Sequence, residues 1–204
     1  MSKIKMYSGF ERFWHWSQAI LIILLAITGF EIHGSFKIIG FETSVQLHTF
    51  AAWALIVLII FAIFWHFTTG IWRQYIPTKK YLTEQVKYYL YGIFVNAPHP
   101  THKTRYNKFN PLQKLTYLQL KILAFPVQII TGFIYLYADS EIPIIGVDTG
   151  NVDIFAILHT LGAYFFVIFL VVHIYLTTTG TTITSNVKAM ITGWEEEEEN
   201  TNIV

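Results

Sequence analysis

Two histidines, at positions 159 and 173, have a type and a spacing that point to chemistry. They lie in residues 154–177, an apolar stretch without any charged side chain. With a rise of about 1.5 Å and a turn of about 100° per residue, their fourteen-residue separation corresponds to about 21 Å along a helix and about 40° around it. Ionisable residues inside a membrane are costly and usually functional. Imidazoles at two depths on one face are what a pair of stacked haems requires.

Each haem iron of this kind needs a second imidazole from another segment. His48 opens the second apolar segment, and we expect it to lie at the depth of His159. His15 opens the first apolar segment, and we expect it to lie at the depth of His173. The sequence therefore predicts two haem b groups, each with its iron held by one of these two histidine pairs.

His66 competes with His15 for the second pair. It follows His48 by eighteen residues, which is about 27 Å along a helix and close to five whole turns, so both face the same way. If His48 and His159 share one depth, His66 lies roughly 6 Å beyond the depth of His173. His15 is therefore the favoured ligand, with His66 as the alternative.

The elements that must position these histidines are four long apolar segments. Hydrophobic residues make up 53% of the 204-residue chain and charged residues only 13%, against about 25% charged in soluble domains. Segments of about 20 apolar residues can span a bilayer as helices. We predict an all-α membrane protein, a four-transmembrane-helix bundle in a single domain over residues 1–204, with helices over about 13–31, 47–72, 115–137 and 154–177.

Basic residues fix the predicted orientation. Lysine and arginine are concentrated in the N-terminal tail and in the long connection after the second helix, and the C-terminal tail carries Lys188, whereas the other two connections carry only Lys37. The positive-inside rule then places both termini in the cytoplasm. Within residues 79–110, apolar side chains recur on one helical face, which predicts a cytoplasmic amphipathic helix in the membrane interface. A polar loop is the alternative.

Several classes of function are disfavoured by what the sequence lacks. There is no cysteine, which excludes thiolate-bound iron–sulfur clusters, covalently attached haem and zinc–thiolate sites. We find no nucleotide-binding glycine loop, nucleophile elbow or HExxH motif. The chain is therefore not expected to be a complete enzyme, apart from reducing quinone or oxidising quinol, and we expect no nucleic-acid partner.

Short motifs accompany the histidines: FWHW at the first helix, IPTKK after the second, RYNKFNPLQKL before the third and TGF within it. Together with His48, His159 and His173, they resemble the cytochrome b membrane subunits of formate dehydrogenase, thiosulfate reductases and nickel–iron hydrogenases. The resemblance covers nearly the whole chain.

This resemblance implies a multi-pass protein of the bacterial inner membrane that carries electrons between a periplasmic redox subunit and the quinone pool. The partner subunit would be of iron–sulfur, molybdenum, hydrogenase or multihaem type, and the quinone a menaquinone or ubiquinone. The quinone would lie near the inner haem, beside Asn107, with Tyr106, Gln113 and Lys114 as neighbours. Two alternatives are a stand-alone quinol-oxidising cytochrome and a transporter whose histidines relay protons or bind a metal.

Overall fold

The computed structural model describes residues 3–95, 97–101, 103–105, 107–137 and 152–196, with only the backbone described at residue 196. Within these ranges four helices are long and apolar enough to cross a membrane: Gly9–Ile32, Phe41–Thr69, Pro111–Leu136 and Val152–Thr177. Large apolar side chains on them stay exposed, as lipid contact requires. The predicted all-α membrane fold with four spans is confirmed.

Short helices and strands precede, connect and follow these spans along the chain. The elements are β1 (Lys3–Lys5), α1 (Gly9–Ile32), α2 (Phe41–Thr69), α3 (Leu82–Leu90), α4 (Pro111–Gln119), α5 (Phe125–Leu136), α6 (Val152–Thr177), α7 (Ser185–Thr192) and β2 (Trp194–Glu196). A π-helical turn, Leu120–Ala124, joins α4 to α5 in the third span. The fourth span agrees closely with the prediction, whereas the first three begin earlier than expected.

The first helix begins at Gly9 rather than at residue 13 because a capping box starts it. The Ser8 hydroxyl accepts a hydrogen bond from the Glu11 backbone N–H at 3.2 Å, and the Glu11 carboxylate accepts one from the Ser8 N–H at 2.8 Å. These bonds satisfy two backbone donors that a helix otherwise leaves open at its start. The polar residues before FWHW are thus part of the helix.

The second helix begins at Phe41 rather than at residue 47, and a buried carboxylate binds the backbone directly before this start. Glu31, near the end of α1, accepts hydrogen bonds from the backbone N–H groups of residues 38, 39 and 40 at 2.7–2.9 Å. The same helix ends at Thr69 because Gly70 adopts a left-handed conformation, with φ of 74°. The prediction that it runs to residue 72 was therefore too long.

The third span begins at Pro111, four residues before the predicted start. Asn110 caps it, because its side-chain oxygen accepts a bond from the Gln113 N–H at 2.9 Å and the Gln113 side chain accepts one from the Asn110 N–H at 3.0 Å. Pro126 lies in this span, and the π-helical turn ends two residues before it. Proline has no N–H to donate to the preceding turn, which favours such an irregularity.

The described residues form two compact units, and each contains part of the long helices. Unit 1 draws on residues 1–20, 57–116 and 172–204, and unit 2 on residues 21–56 and 117–171. In unit 1, β1 pairs with β2 in an antiparallel sheet, with Lys5 opposite Trp194. The two ends of the described chain therefore lie side by side, which agrees with an even number of membrane crossings. The assignment of residues 1–204 to one domain stays a prediction.

The connection after α2 contains the expected helix, α3, instead of only a polar loop. Its polar Gln85 is fully buried, whereas Leu90 is 74% exposed and Phe94, just beyond the helix, is 72% exposed. This distribution is the reverse of that on a water-facing helix and suits a helix lying in the membrane interface. The interfacial position itself stays a prediction.

Candidate haem sites

Unit 2 brings together His48 of α2 and His159 of α6. The centres of their two imidazole rings lie 6.2 Å apart, and the ring planes are inclined by 68°. Both histidines belong to long apolar helices, so their rings face each other within the span. The structure thus pairs the two residues that sequence reasoning assigned to one depth.

Unit 1 brings together His15 of α1 and His173 of α6. Their ring centres are also 6.2 Å apart, with an inclination of 50° between the planes. The Nδ1 atom of His15 is buried and has no hydrogen-bond partner among the described residues. The structure therefore pairs these two histidines as well.

The donor set and the spacing fit haem at both pairs. A histidine nitrogen lies about 2.0–2.1 Å from a metal, so two histidines on opposite sides of one iron have ring centres roughly 6 Å apart. Both pairs have this separation. Two neutral imidazoles without any thiolate are also a suitable axial set for a non-covalently bound haem.

Glycines make room for the rings of the His48–His159 pair. A Cβ atom on Gly29 would lie 3.1 Å from Cε1 of His48, and one on Gly132 would lie 3.0 Å from Cε1 of His159. Gly162 has a different neighbour, since a Cβ there would clash with the side-chain oxygen of Gln128. Gly29 and Gly132 therefore each face a histidine ring directly.

His66, the competitor of His15, is occupied elsewhere in unit 1. Its ring is buried, with Nδ1 lying 2.5 Å from the Ala62 carbonyl oxygen and Nε2 lying 3.2 Å from the Tyr75 hydroxyl. The edges of Trp14 and Trp65 pack against it, with ring centres 5.1 and 5.4 Å away. Protein groups therefore occupy both ring nitrogens of His66.

Unit 1 also contains a cavity of about 1290 Å³. Three of the four predicted quinone neighbours, Asn107, Gln113 and Lys114, lie in its wall, and Tyr106 lies outside the described residues. Leu176 of α6 contributes to the same wall and follows His173 by three residues, less than one helical turn. The cavity therefore begins close to the His15–His173 pair.

Comparison with known proteins agrees with this architecture. Residues 6–193 match the prokaryotic cytochrome b561 family. The chain belongs to this family. It is therefore a b-type cytochrome and an electron-transport protein of the membrane.

Among its relatives, the cytochrome is 29% identical over 200 residues to a protein of Escherichia coli (strain K12) named as cytochrome YdhU, covering 94% of this chain and 74% of the relative. It is 26% identical to a protein of Cupriavidus necator named as a Ni/Fe-hydrogenase B-type cytochrome subunit, covering 83% and 77% of the two chains. A protein of Rhizobium leguminosarum bv. viciae with the same name is also 26% identical, with 84% and 79% covered. No solved structure matches the chain.

Sequence reasoning missed several residues of the cytochrome's cavity. Tyr88, Tyr89 and His99 lie in its wall. The rings of Tyr88 and His99 have centres 4.7 Å apart. Burial raises the pKa of the Tyr89 hydroxyl, partly offset by a hydrogen bond from Asn110, so Tyr89 remains a neutral donor and acceptor at physiological pH.

Proposed function

We propose that this cytochrome holds two b haems and carries electrons across the membrane between a periplasmic redox partner and the quinone pool. His15 with His173 would hold one iron, and His48 with His159 the other. The observation that carries the proposal is the equal ring-centre distance of 6.2 Å in the two pairs. Bound haem would supply reversible one-electron chemistry, and the protein would set its potential through the ligands, burial and hydrogen bonds.

The helices would perform most of the positioning. Helix α6 supplies one histidine to each pair, while α1 and α2 supply one each. Rigid helices hold a ligating ring more accurately than loops do, so the rings are prepared for binding. The apolar surroundings keep water away and disfavour a charged imidazole, which leaves the neutral form that binds iron.

The proposed orientation of the cytochrome in the membrane follows from the distribution of its basic residues. The basic N-terminal tail and the basic connection favour a cytoplasmic location for unit 1, in the inner membrane of a bacterium. The pairing of β1 with β2 supports a common side for both termini. The His48–His159 pair would then exchange electrons with the periplasmic partner. Two relatives are named as hydrogenase cytochrome subunits, which supports a hydrogenase-type catalytic partner.

The cavity of unit 1 supports a quinone site beside the His15–His173 pair. Asn107 and Lys114 in its wall offer donors to the two carbonyl oxygens of a quinone ring. Gln113 is less available, because its side-chain oxygen accepts the Asn110 N–H. The aromatic side chains of Tyr88 and Phe109 in the same wall suit a flat ring.

Haem stoichiometry tests the proposed function. We expect the purified cytochrome to contain two haems per chain. After reduction with dithionite, its absorption spectrum should show two overlapping b-type centres. Fewer than two haems per chain would contradict the di-haem proposal. A large periplasmic subunit should co-purify from membranes, whereas purification alone in active form would favour the stand-alone quinol oxidase.

Replacing Asn107 with alanine should slow reduction of the haems by quinol. Loss of one hydrogen bond worth about 1.5 kcal/mol corresponds to roughly a tenfold fall in kcat/KM. Stopped-flow absorption of haem reduction by menaquinol or ubiquinol measures this, and dithionite should still reduce both haems completely. Lys114→Met should have a similar effect, and Lys87→Met, which lies outside the cavity wall, should have none. Equal rates of haem reduction in all variants would contradict a quinone site in this cavity.

A further inference from the structure

The sequence Thr-Gly-Phe occurs twice, in α1 at residues 28–30 and in α5 at residues 131–133. In each copy the threonine hydroxyl lies within hydrogen-bond distance of Nδ1 of a histidine on another helix. Thr28 Oγ1 lies 3.0 Å from His48, and Thr131 Oγ1 lies 3.1 Å from His159. Both threonines are buried, at 0% and 4% exposure. The two copies therefore make the same contact with the two histidines of one pair.

The direction of these hydrogen bonds follows from the remaining contacts. A hydroxyl has a single hydrogen to donate. Thr28 Oγ1 lies 2.7 Å from the carbonyl oxygen of Leu24, and Thr131 Oγ1 lies 2.7 Å from that of Val127. Because a carbonyl can only accept, each hydroxyl donates within its own helix. Each threonine oxygen is then left as an acceptor for the histidine, so the Nδ1 atoms of both rings carry the hydrogen.

Two further contacts give the same tautomer for His159. The carbonyl oxygen of Gln128 lies 3.1 Å from its Nδ1, and that oxygen can only accept. On the other side of the ring, the side-chain nitrogen of Gln128 lies 3.1 Å from Nε2 and donates to it. The Nε2 atom thus presents a lone pair, which is what a metal requires.

The glycine of each copy completes the contact. A Cβ at Gly29 or Gly132 would come within 3.0–3.1 Å of Cε1 of the same histidine that the neighbouring threonine binds. That distance is too short for a rigid ring packed between helices. The threonine therefore holds the ring through Nδ1, while the glycine leaves space for the ring edge beside it.

We propose that the two Thr-Gly copies are matched positioning elements that fix the Nδ1–H tautomer and the ring orientation of His48 and His159. This inference rests on the proposed function, since the Nε2 atoms would bind the iron of one haem, that of His159 in place of its hydrogen bond from Gln128. A hydrogen bond from Nδ1–H makes imidazole a stronger donor to a metal. A stronger donor stabilises the oxidised iron, so Thr28 and Thr131 lower the reduction potential of this haem and leave that of the other haem unchanged.

Potentiometric titration of the purified, haem-loaded cytochrome tests the inference. Thr28→Val and Thr131→Val keep the branched shape of the side chain but remove the hydroxyl. In each single variant we expect the reduction potential of one of the two haems to rise. In the double variant we expect the same potential to rise further. Thr28→Ser and Thr131→Ser retain the hydroxyl and should restore the original potential. Thr160→Val is the matched control, because Thr160 donates to the Ala156 carbonyl within α6 at 2.9 Å, as the other two donate within their own helices.

The outcomes separate this inference from the proposed function. Loss of one haem in a valine variant, with retention in the serine variant, would also support positioning by the hydroxyl. Two haems in every variant with unchanged or lowered potentials would overturn the inference and leave the di-haem function standing. Loss of the haem in both the valine and the serine variant would overturn it as well. Wild-type protein without haem would overturn the proposed function and the inference with it.

Discussion

The His15→Ala variant is expected to contain one haem per chain in place of two. Alanine removes the imidazole opposite His173, and an iron with one protein ligand is held weakly in a site without covalent attachment. The remaining haem, between His48 and His159, should keep its absorption spectrum and potential because its ligands lie in unit 2. Haem assay by the pyridine haemochromogen method, together with redox titration, measures both quantities.

His66→Ala is the matched control for this experiment. The ring of His66 is also buried in an apolar helix, but it contacts Tyr75 and the Ala62 carbonyl. We expect this variant to retain both haems. If His66→Ala loses a haem and His15→Ala retains two, the assignment of the second pair is reversed.

Lys108→Met is expected to destabilise the protein strongly. The Lys108 amine lies 2.5 Å from the Glu11 carboxylate, and both side chains are almost completely buried, at 5% and 8% exposure. Removing the lysine leaves a buried carboxylate without its partner, which costs about 3–5 kcal/mol. The free energy of unfolding in detergent, followed by circular dichroism, should fall by this amount.

Two control variants distinguish loss of the pair from loss of a lysine. Glu11→Gln combined with Lys108→Met removes both charges and should recover much of the stability, since no unpaired charge stays buried. Lys103→Met breaks the more exposed pair with Glu195 and should cost about 1 kcal/mol or less. Equal effects of Lys103→Met and Lys108→Met would contradict the importance of the buried pair.

The positions of the paired histidines could be predicted because helical geometry is regular. The number of residues between His159 and His173 determines their separation along α6 and the angle between them around it. The same calculation placed His66 too far along α2 to share the depth of His173. In the structure His66 indeed lies with Tyr75 instead of His173. Membrane spans were predictable for a related reason, since a bilayer demands long apolar helices.

The starts of the first three helices were not predicted, because polar capping residues extend them beyond the apolar pattern. Glu31 illustrates the difficulty most clearly, since the backbone donors it binds lie seven to nine residues further on. No local sequence signal identifies that contact. The Ser8–Glu11 box, in contrast, has the serine–glutamate spacing that marks a helix start and could have been found.

The partners of the histidines required the structure. TGF was visible twice in the sequence, but only the helix arrangement shows that each threonine reaches a histidine ring on another helix. The cavity of unit 1 is lined by segments far apart in the chain, from Lys3 to Glu195. The spacing of residues along the chain cannot by itself predict that these distant segments meet at one cavity.

An experimental density map of the haem-loaded cytochrome, from electron cryomicroscopy or crystallography, tests the central claim most directly. We expect one iron between His15 and His173 and a second between His48 and His159, each bound through Nε2 of both rings. Iron bound to His66, or a histidine pair whose rings face no porphyrin in protein that contains haem, would contradict it.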